Sequence, residues 1–326
     1  MILSAEILKY KSAVHDNTTA NGGRLSAVEV ASNVKNNVFP DVSESERTAG
    51  LTQYRKVFHK VANADNDVLN TILIHLLTMA AGDDYLTLML GTQRDTQADI
   101  IATPPRQYGI ATLHTQVNSG GSVLIVDAKS STSVLFMTAD TIAIIDGSTV
   151  LYYEDVTISK NSAQYTITLK SGDTVPSTLV VTTTLVSSCI EVADSEPTSA
   201  SWTEDSTEGT YDESTYPVEL DNIGTIEEDI TLTFTSATAF DAAGDTVGAL
   251  ASGSTLADYI PLHPVFALPL FTLRSAGFAG TWAEGDTITF TIHPAALPVW
   301  RKRVVPALSA YANVDGYTVR TTGQAT

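Results

Sequence analysis

Apolar and polar side chains alternate most cleanly near the end of the chain. Ile288, Phe290 and Ile292 point one way and Thr287, Thr289 and Thr291 the other, which is the period-two signature of a half-buried strand. Gly285-Asp286 supplies the turn before it, and Pro294 and Pro298 interrupt the ladder after it. Upstream, Val123-Leu124-Ile125-Val126, Thr141-Ile142-Ala143-Ile144-Ile145 and Tyr165-Thr166-Ile167-Thr168-Leu169 are strand-like runs. They are separated by Gly120-Gly121, Asp146-Gly147 and Gly172-Asp173. Strands spaced about 8–12 residues apart with such turns predict a sandwich or small barrel.

Closer to the N-terminus the pattern is mixed. Ser4 is placed to cap a short helix over Ala5–Lys11, with Ile7, Leu8 and Tyr10 as its apolar positions. Leu51–Val61 alternates in part and predicts a strand that exposes Tyr54 and Phe58 for packing or partner contact. Thr71–Met79 and Tyr85–Leu90 flank Gly82-Asp83-Asp84. They predict a hairpin, with a short helix over Thr71–Met79 as the alternative. The expected fold class is therefore mainly β with minor α: β-sandwich or small-barrel domains and a short N-terminal helix. Residues 1–107 form an N-terminal docking domain (α+β). Residues 108–221 form an inserted β-rich domain with an acidic loop over 194–221. Residues 222–326 form a C-terminal β segment packing with the N-terminal domain.

Charge changes this picture. The 326 residues carry a formal net charge of −19, which disfavours nucleic acid and anionic membranes as partners. No Lys or Arg lies between Lys170 and Arg274, an interval that holds seventeen Asp or Glu. Cations are kept for the ends, at Arg55-Lys56 beside Phe58 and at Trp300-Arg301-Lys302-Arg303. The second cluster reads either as a strand end made soluble by charge or as an ion-pairing patch. Its aromatic and proline neighbours favour the patch. Arg55, Lys56, Phe58, Trp282, Trp300, Arg301, Lys302 and Arg303 are the expected interface residues.

Candidate chemistry is sparse. The six histidines show no zinc-protease spacing, and no nucleophile elbow or phosphate-binding glycine loop occurs. Asp65-Asn66-Asp67 and Asp83-Asp84 lack the rest of a calcium loop. The acid pairs Glu204-Asp205, Asp212-Glu213 and Glu227-Glu228-Asp229 are too many to nominate a glycosidase dyad, and a solvated acidic face is expected. Cys189, alone in the chain, reads as a buried inert thiol. No enzyme, metal or cofactor is expected. The N-terminus has no basic segment leading into an apolar one, and no apolar run reaches a membrane span, so a soluble protein made in the cytoplasm is expected.

Two stretches resemble a known family. Ser32-Asn33, then Asn36-Asn37-Val38-Phe39-Pro40-Asp41-Val42-Ser43, Arg47, Gly50 and Arg55-Lys56-Val57-Phe58 resemble the start of a family of tailed-bacteriophage and prophage virion structural proteins. Gly280-Thr281-Trp282, Gly285-Asp286-Thr287, His293-Pro294-Ala295-Ala296, Pro298-Val299-Trp300 and Arg303-Val304-Val305-Pro306 resemble its closing segment. The chain is shorter than many members, and its acidic 194–221 stretch has no counterpart. The resemblance implies a virion location. It also implies a homo-oligomer docked on neck, collar or tail proteins, with a capsid decoration protein or a glycan-binding or depolymerising tail protein as alternatives. It supplies no catalytic residues.

Overall fold

The alternating strand Thr287–His293 folds as its pattern predicts: Ile288, Phe290 and Ile292 are buried and the threonines between them half-buried. The computed structural model describes residues 2–264, 267–312 and 316–325. The fold is mainly β, assembled from several antiparallel sheets. Two short α-helices, Glu44–Ala49 and Gln97–Ala102, interrupt it. Ser43 opens the first through a capping box, its backbone N–H donating to Glu46 Oε2 at 2.8 Å while Glu46 N–H donates to Ser43 Oγ at 3.3 Å.

Thr287–His293 pairs with Glu228–Phe234 on one side and with Thr198–Asp205 on the other, in a six-stranded sheet. An aromatic core fills the space beside it, where Trp282 stacks on Phe234 with ring centroids 3.9 Å apart and planes 2° from parallel. The acidic 194–221 stretch is thus not a plain loop, because it contributes the strands Thr198–Asp205 and Thr210–Tyr211. Thr198–Asp205 is an edge strand, and exposed acids such as Glu204 and Asp205 discourage a further strand from adding to it. The composition that reads as a loop is that of a protected edge.

Residues 110–188 form a separate seven-stranded antiparallel sheet. Val123–Ala128, Ile110–Leu113 and Thr184–Ser188 lie at its centre, and Thr157–Asn161 and Thr149–Tyr153 lie at its edges. Leu124, Val126, Ile144, Tyr165, Ile167 and Val186 belong to its core.

The two ends of the chain meet in a five-stranded sheet. Ala296–Val305 lies between Leu51–Val61 and Tyr85–Leu90, and Ile7–Val14 and Gly22–Glu29 complete the other side. The expected N-terminal helix is reduced to one 3-10 turn at Ser4–Glu6, and the chain continues as strand. Ile7–Lys11 pairs residue for residue with Val57–Val61, a tertiary gain that overrides weak helix propensity. The expected hairpin is also absent. Leu69–Leu76 is a strand, but it pairs with Ile190–Ser195 and Val319–Ala325 in a three-stranded sheet, while Tyr85–Leu90 pairs with Ala296–Val305.

Candidate anion-binding cleft

Register decides what becomes of the basic clusters. Trp300 lies opposite Lys56 and Lys302 opposite Tyr54, whereas Arg301 lies opposite Arg55 and Arg303 opposite Gln53. Alternation therefore sends Lys56 and Trp300 to one face of the five-stranded sheet and Arg55, Arg301 and Arg303 to the other.

The Lys56 face is closed and internally satisfied. Lys56 is fully buried, its Nζ lies 2.6 Å from Asp95 Oδ1, and it donates to the carbonyls of Gly23, Gln93 and Asp95. Burial holds its pKa below the ordinary lysine value although Asp95 pulls the other way. Trp300 Nε1 donates to Asp95 Oδ2 at 3.0 Å, and Gly22 permits the close approach, since a Cβ there would sit 2.7 Å from the indole.

The opposite face gathers cations around a cleft of about 910 Å3 whose walls include Lys9, Arg47, Arg301 and Arg303, with Phe39 and Tyr317 beside them. Lys9 Nζ donates to Val319 O, and its pKa falls to about 8 through burial and the nearby Arg301. His15 falls to about 4, from burial first and then from Arg55 and Lys11. His59 is driven well below its ordinary value by burial, with Lys9 and Arg301 adding to the effect. Arg55 donates to Asp16 O and Tyr54 O and to Asn17 Oδ1, and its guanidinium lies over the Phe39 ring. Arg303 donates to Pro40 O and Gln53 and covers the same ring.

Arg301 differs from these neighbours. It is 5% exposed, the Tyr317 phenol is its hydrogen-bonding neighbour, and its Nε and Nη2 have no acceptor among the described residues. A guanidinium does not lose its proton in proteins, so burial leaves it charged with two donors unused.

Seven of the eight expected interface residues are thus brought together, but as parts of paired strands. Arg55, Lys56, Phe58, Trp300 and Arg301 are buried, and Lys302 and Arg303 half-buried. Trp282 lies apart, in the aromatic core of the other body. Both readings of the cluster, the favoured ion-pairing patch and the charged strand end, assume open side chains; backbone carbonyls and aromatic faces instead surround these charges.

A second charged group lies between the five-stranded and six-stranded sheets. Arg94 grips Asp229 through both terminal nitrogens, at 2.6 and 2.7 Å, and reaches Glu227 at 2.6 Å. His293 Nδ1 lies 2.6 Å from the same Glu227, and Arg24 pairs with Asp245 at 2.5 Å. Glu227 and Glu228 are buried, so this run is not the solvated acidic face that composition suggests. The one sequence signal for it is Arg94, an isolated cation outside both basic clusters. Among the described residues no group of three or more His, Cys, Asp or Glu is placed to hold a metal, and no helix is long and apolar enough to cross a membrane.

Residues 136–271 match the family model described as autotransporter YaiT, N-terminal passenger repeat. No curated protein and no solved structure gives a significant match. The family match overturns the resemblance to phage virion proteins. With it go the virion location, the homo-oligomer docked on neck, collar, tail or capsid proteins, and the decoration and tail-glycan alternatives. The residues that carried that resemblance explain why it misled. Phe39, Phe58, Trp282, Trp300 and Val305 are buried packing positions, which strand and turn geometry demands regardless of what a protein attaches to.

Proposed function

We propose that this chain is a non-enzymatic, β-rich module displayed at a bacterial cell surface, of the kind found in autotransporter passengers. The observation that carries the reading is the family match over 136–271. It begins inside the seven-stranded sheet and runs on into the six-stranded one, so it follows the fold across two bodies. Two further features support it. The mainly β architecture gives rigid strands joined by exposed turns, suited to presenting a binding face. The formal charge of −19 favours solubility and keeps the module off anionic lipid. Its contribution to a passenger is a scaffold that carries a contact surface and performs no chemical step.

The test is topological. An epitope tag inserted beside Leu256, which is 78% exposed, is introduced into the gene in its native bacterium. Antibody labelling of intact cells, lost after brief external protease, is the expected result. Labelling that requires lysis of the cells overturns the reading.

A further inference from the structure

We infer that the Arg301 cleft is a receptor for the carboxylate side chains of an extended acidic peptide. In a guanidinium, Nε–H and Nη2–H lie on the same edge of the planar group and point in parallel, the spacing that two oxygens of one carboxylate accept as a fork. In Arg301 this edge has no acceptor among the described residues, although the residue is 5% exposed and the positive charge persists. Arg301 lines the cleft wall, and binding requires its buried guanidinium to turn toward a ligand lying there.

The surroundings favour an anion. Lys9 and Arg55 stand near Arg301, and burial, followed by these neighbouring cations, lowers the pKa values of Lys9, His15 and His59. The field inside the cleft is positive although the molecule as a whole is strongly negative. Screening over about 8 Å at physiological salt confines the effect of the distant acids. Asp41, Asp83 and Asp84 also line the cleft; Asp41 pairs with Lys35 at 3.1 Å and Asp83 accepts from Ala310 N–H, and the lining cations Lys9, Lys35, Arg47, Arg301 and Arg303 outnumber these acids.

Size and rim point to a peptide and not a small ion. A cleft of about 910 Å3 far exceeds the space a phosphate or sulfate fills. Its lining includes exposed apolar groups, with Val34 at 56% and Tyr311 at 70%. Together these fit a chain that alternates acidic and apolar side chains, its carboxylates on Arg301 and Arg47 and its apolar groups on the rim. The inference rests on the cleft and is independent of where the protein is displayed.

Fluorescence anisotropy on the full chain tests it with a labelled hexapeptide alternating glutamate and leucine. The glutamine–leucine counterpart serves as control and sodium phosphate as competitor. The expected result is saturable binding of the glutamate peptide, weakened about tenfold or more in the glutamine version and as salt is raised. Arg301→Lys keeps the charge but removes the fork, and about a tenfold loss with unchanged circular dichroism is expected. Since Arg301 is buried, the rim variants Tyr311→Ser and Arg47→Gln provide a second reading, each weakening binding in a folded protein. Equal affinity for both peptides overturns the inference, as does undiminished binding by Arg301→Lys together with both rim variants. Displacement by phosphate at the concentrations where the peptide binds makes the cleft a general oxyanion site and overturns the peptide assignment.

Discussion

Asp95 holds Lys56 by an ion pair of 2.6 Å inside the five-stranded sheet, where the lysine side chain has no exposure. The same carboxylate accepts from Trp300 Nε1, so one loop residue fixes neighbouring side chains from two strands far apart in sequence. Removing one partner leaves a buried charge without compensation. Asp95→Ala is expected to destabilise the protein by about 3–5 kcal/mol, and Lys56→Met combined with Asp95→Ala by less than the two single changes together. Urea unfolding of the four proteins in the cycle measures this.

The aromatic core of the six-stranded sheet gives a graded prediction. Trp282→Ala is expected to cost about 3–5 kcal/mol, because the ring stacked on Phe234 is lost and a cavity remains. Trp282→Phe is expected to cost under about 1.5 kcal/mol, since it also removes an indole N–H buried without an acceptor among the described residues. Gly209→Ala places a Cβ 2.3 Å from the Trp282 ring and is expected to cost about 1–3 kcal/mol by overpacking. Thermal melting ranks the three.

The contribution of Glu228 to stability is expected to fall as pH rises toward neutrality. Glu228 is pushed up to about 7, mainly by burial and also by its hydrogen bond with Asp245, against the backbone N–H of Thr246. The folded state thus binds this proton more tightly than the unfolded chain. The resulting stability is fully present below the ordinary carboxyl range and is lost as pH rises through about 7. Asp229 has the opposite sign. Arg94 holds it down to about 2, so its contribution is present above the ordinary carboxyl range and is lost as pH falls toward 2. Urea midpoints of Glu228→Gln between pH 3 and pH 9 should gain on those of the parent protein as pH rises from the ordinary carboxyl range to about 7, while the lowered pKa values of His15 and His59 act in the opposite sense in both proteins.

Cys189 is 2% exposed, and burial raises its thiol pKa well above the ordinary range. A disulfide reagent at pH 8 is expected to leave the native protein unlabelled and to titrate one thiol in urea. Fast labelling without denaturant contradicts the burial described for this residue.

Family and location were the parts of the sequence least safely read. Motifs at the two ends pointed to virion proteins, whereas the match over 136–271 lies in the middle, which those motifs left out. Single aromatics and turns such as Phe39-Pro40 or Gly280-Thr281-Trp282 report packing demands that unrelated folds share.

The sequence by itself determined the strands. Alternation at Thr287–His293 and the β-branched runs over 123–126, 141–145 and 165–169 encode their own backbone and their own buried side, because those preferences act within a few residues. Only the tertiary structure decided which strands pair. Ile7–Val14 became a strand because Leu51–Val61 was there to meet it, and Leu69–Leu76 went to a different sheet from Tyr85–Leu90. It also decided the fate of the charges. Local pattern reads Lys56 and Arg301 as solvent-facing, since isolated cations avoid burial. Lys56 is buried because Gly23, Gln93 and Asp95 bring oxygens to it from distant segments, and Arg301 because Ala296–Val305 enters between Leu51–Val61 and Tyr85–Leu90. The energy of a charge depends on what surrounds it in space, and a linear pattern does not carry that information.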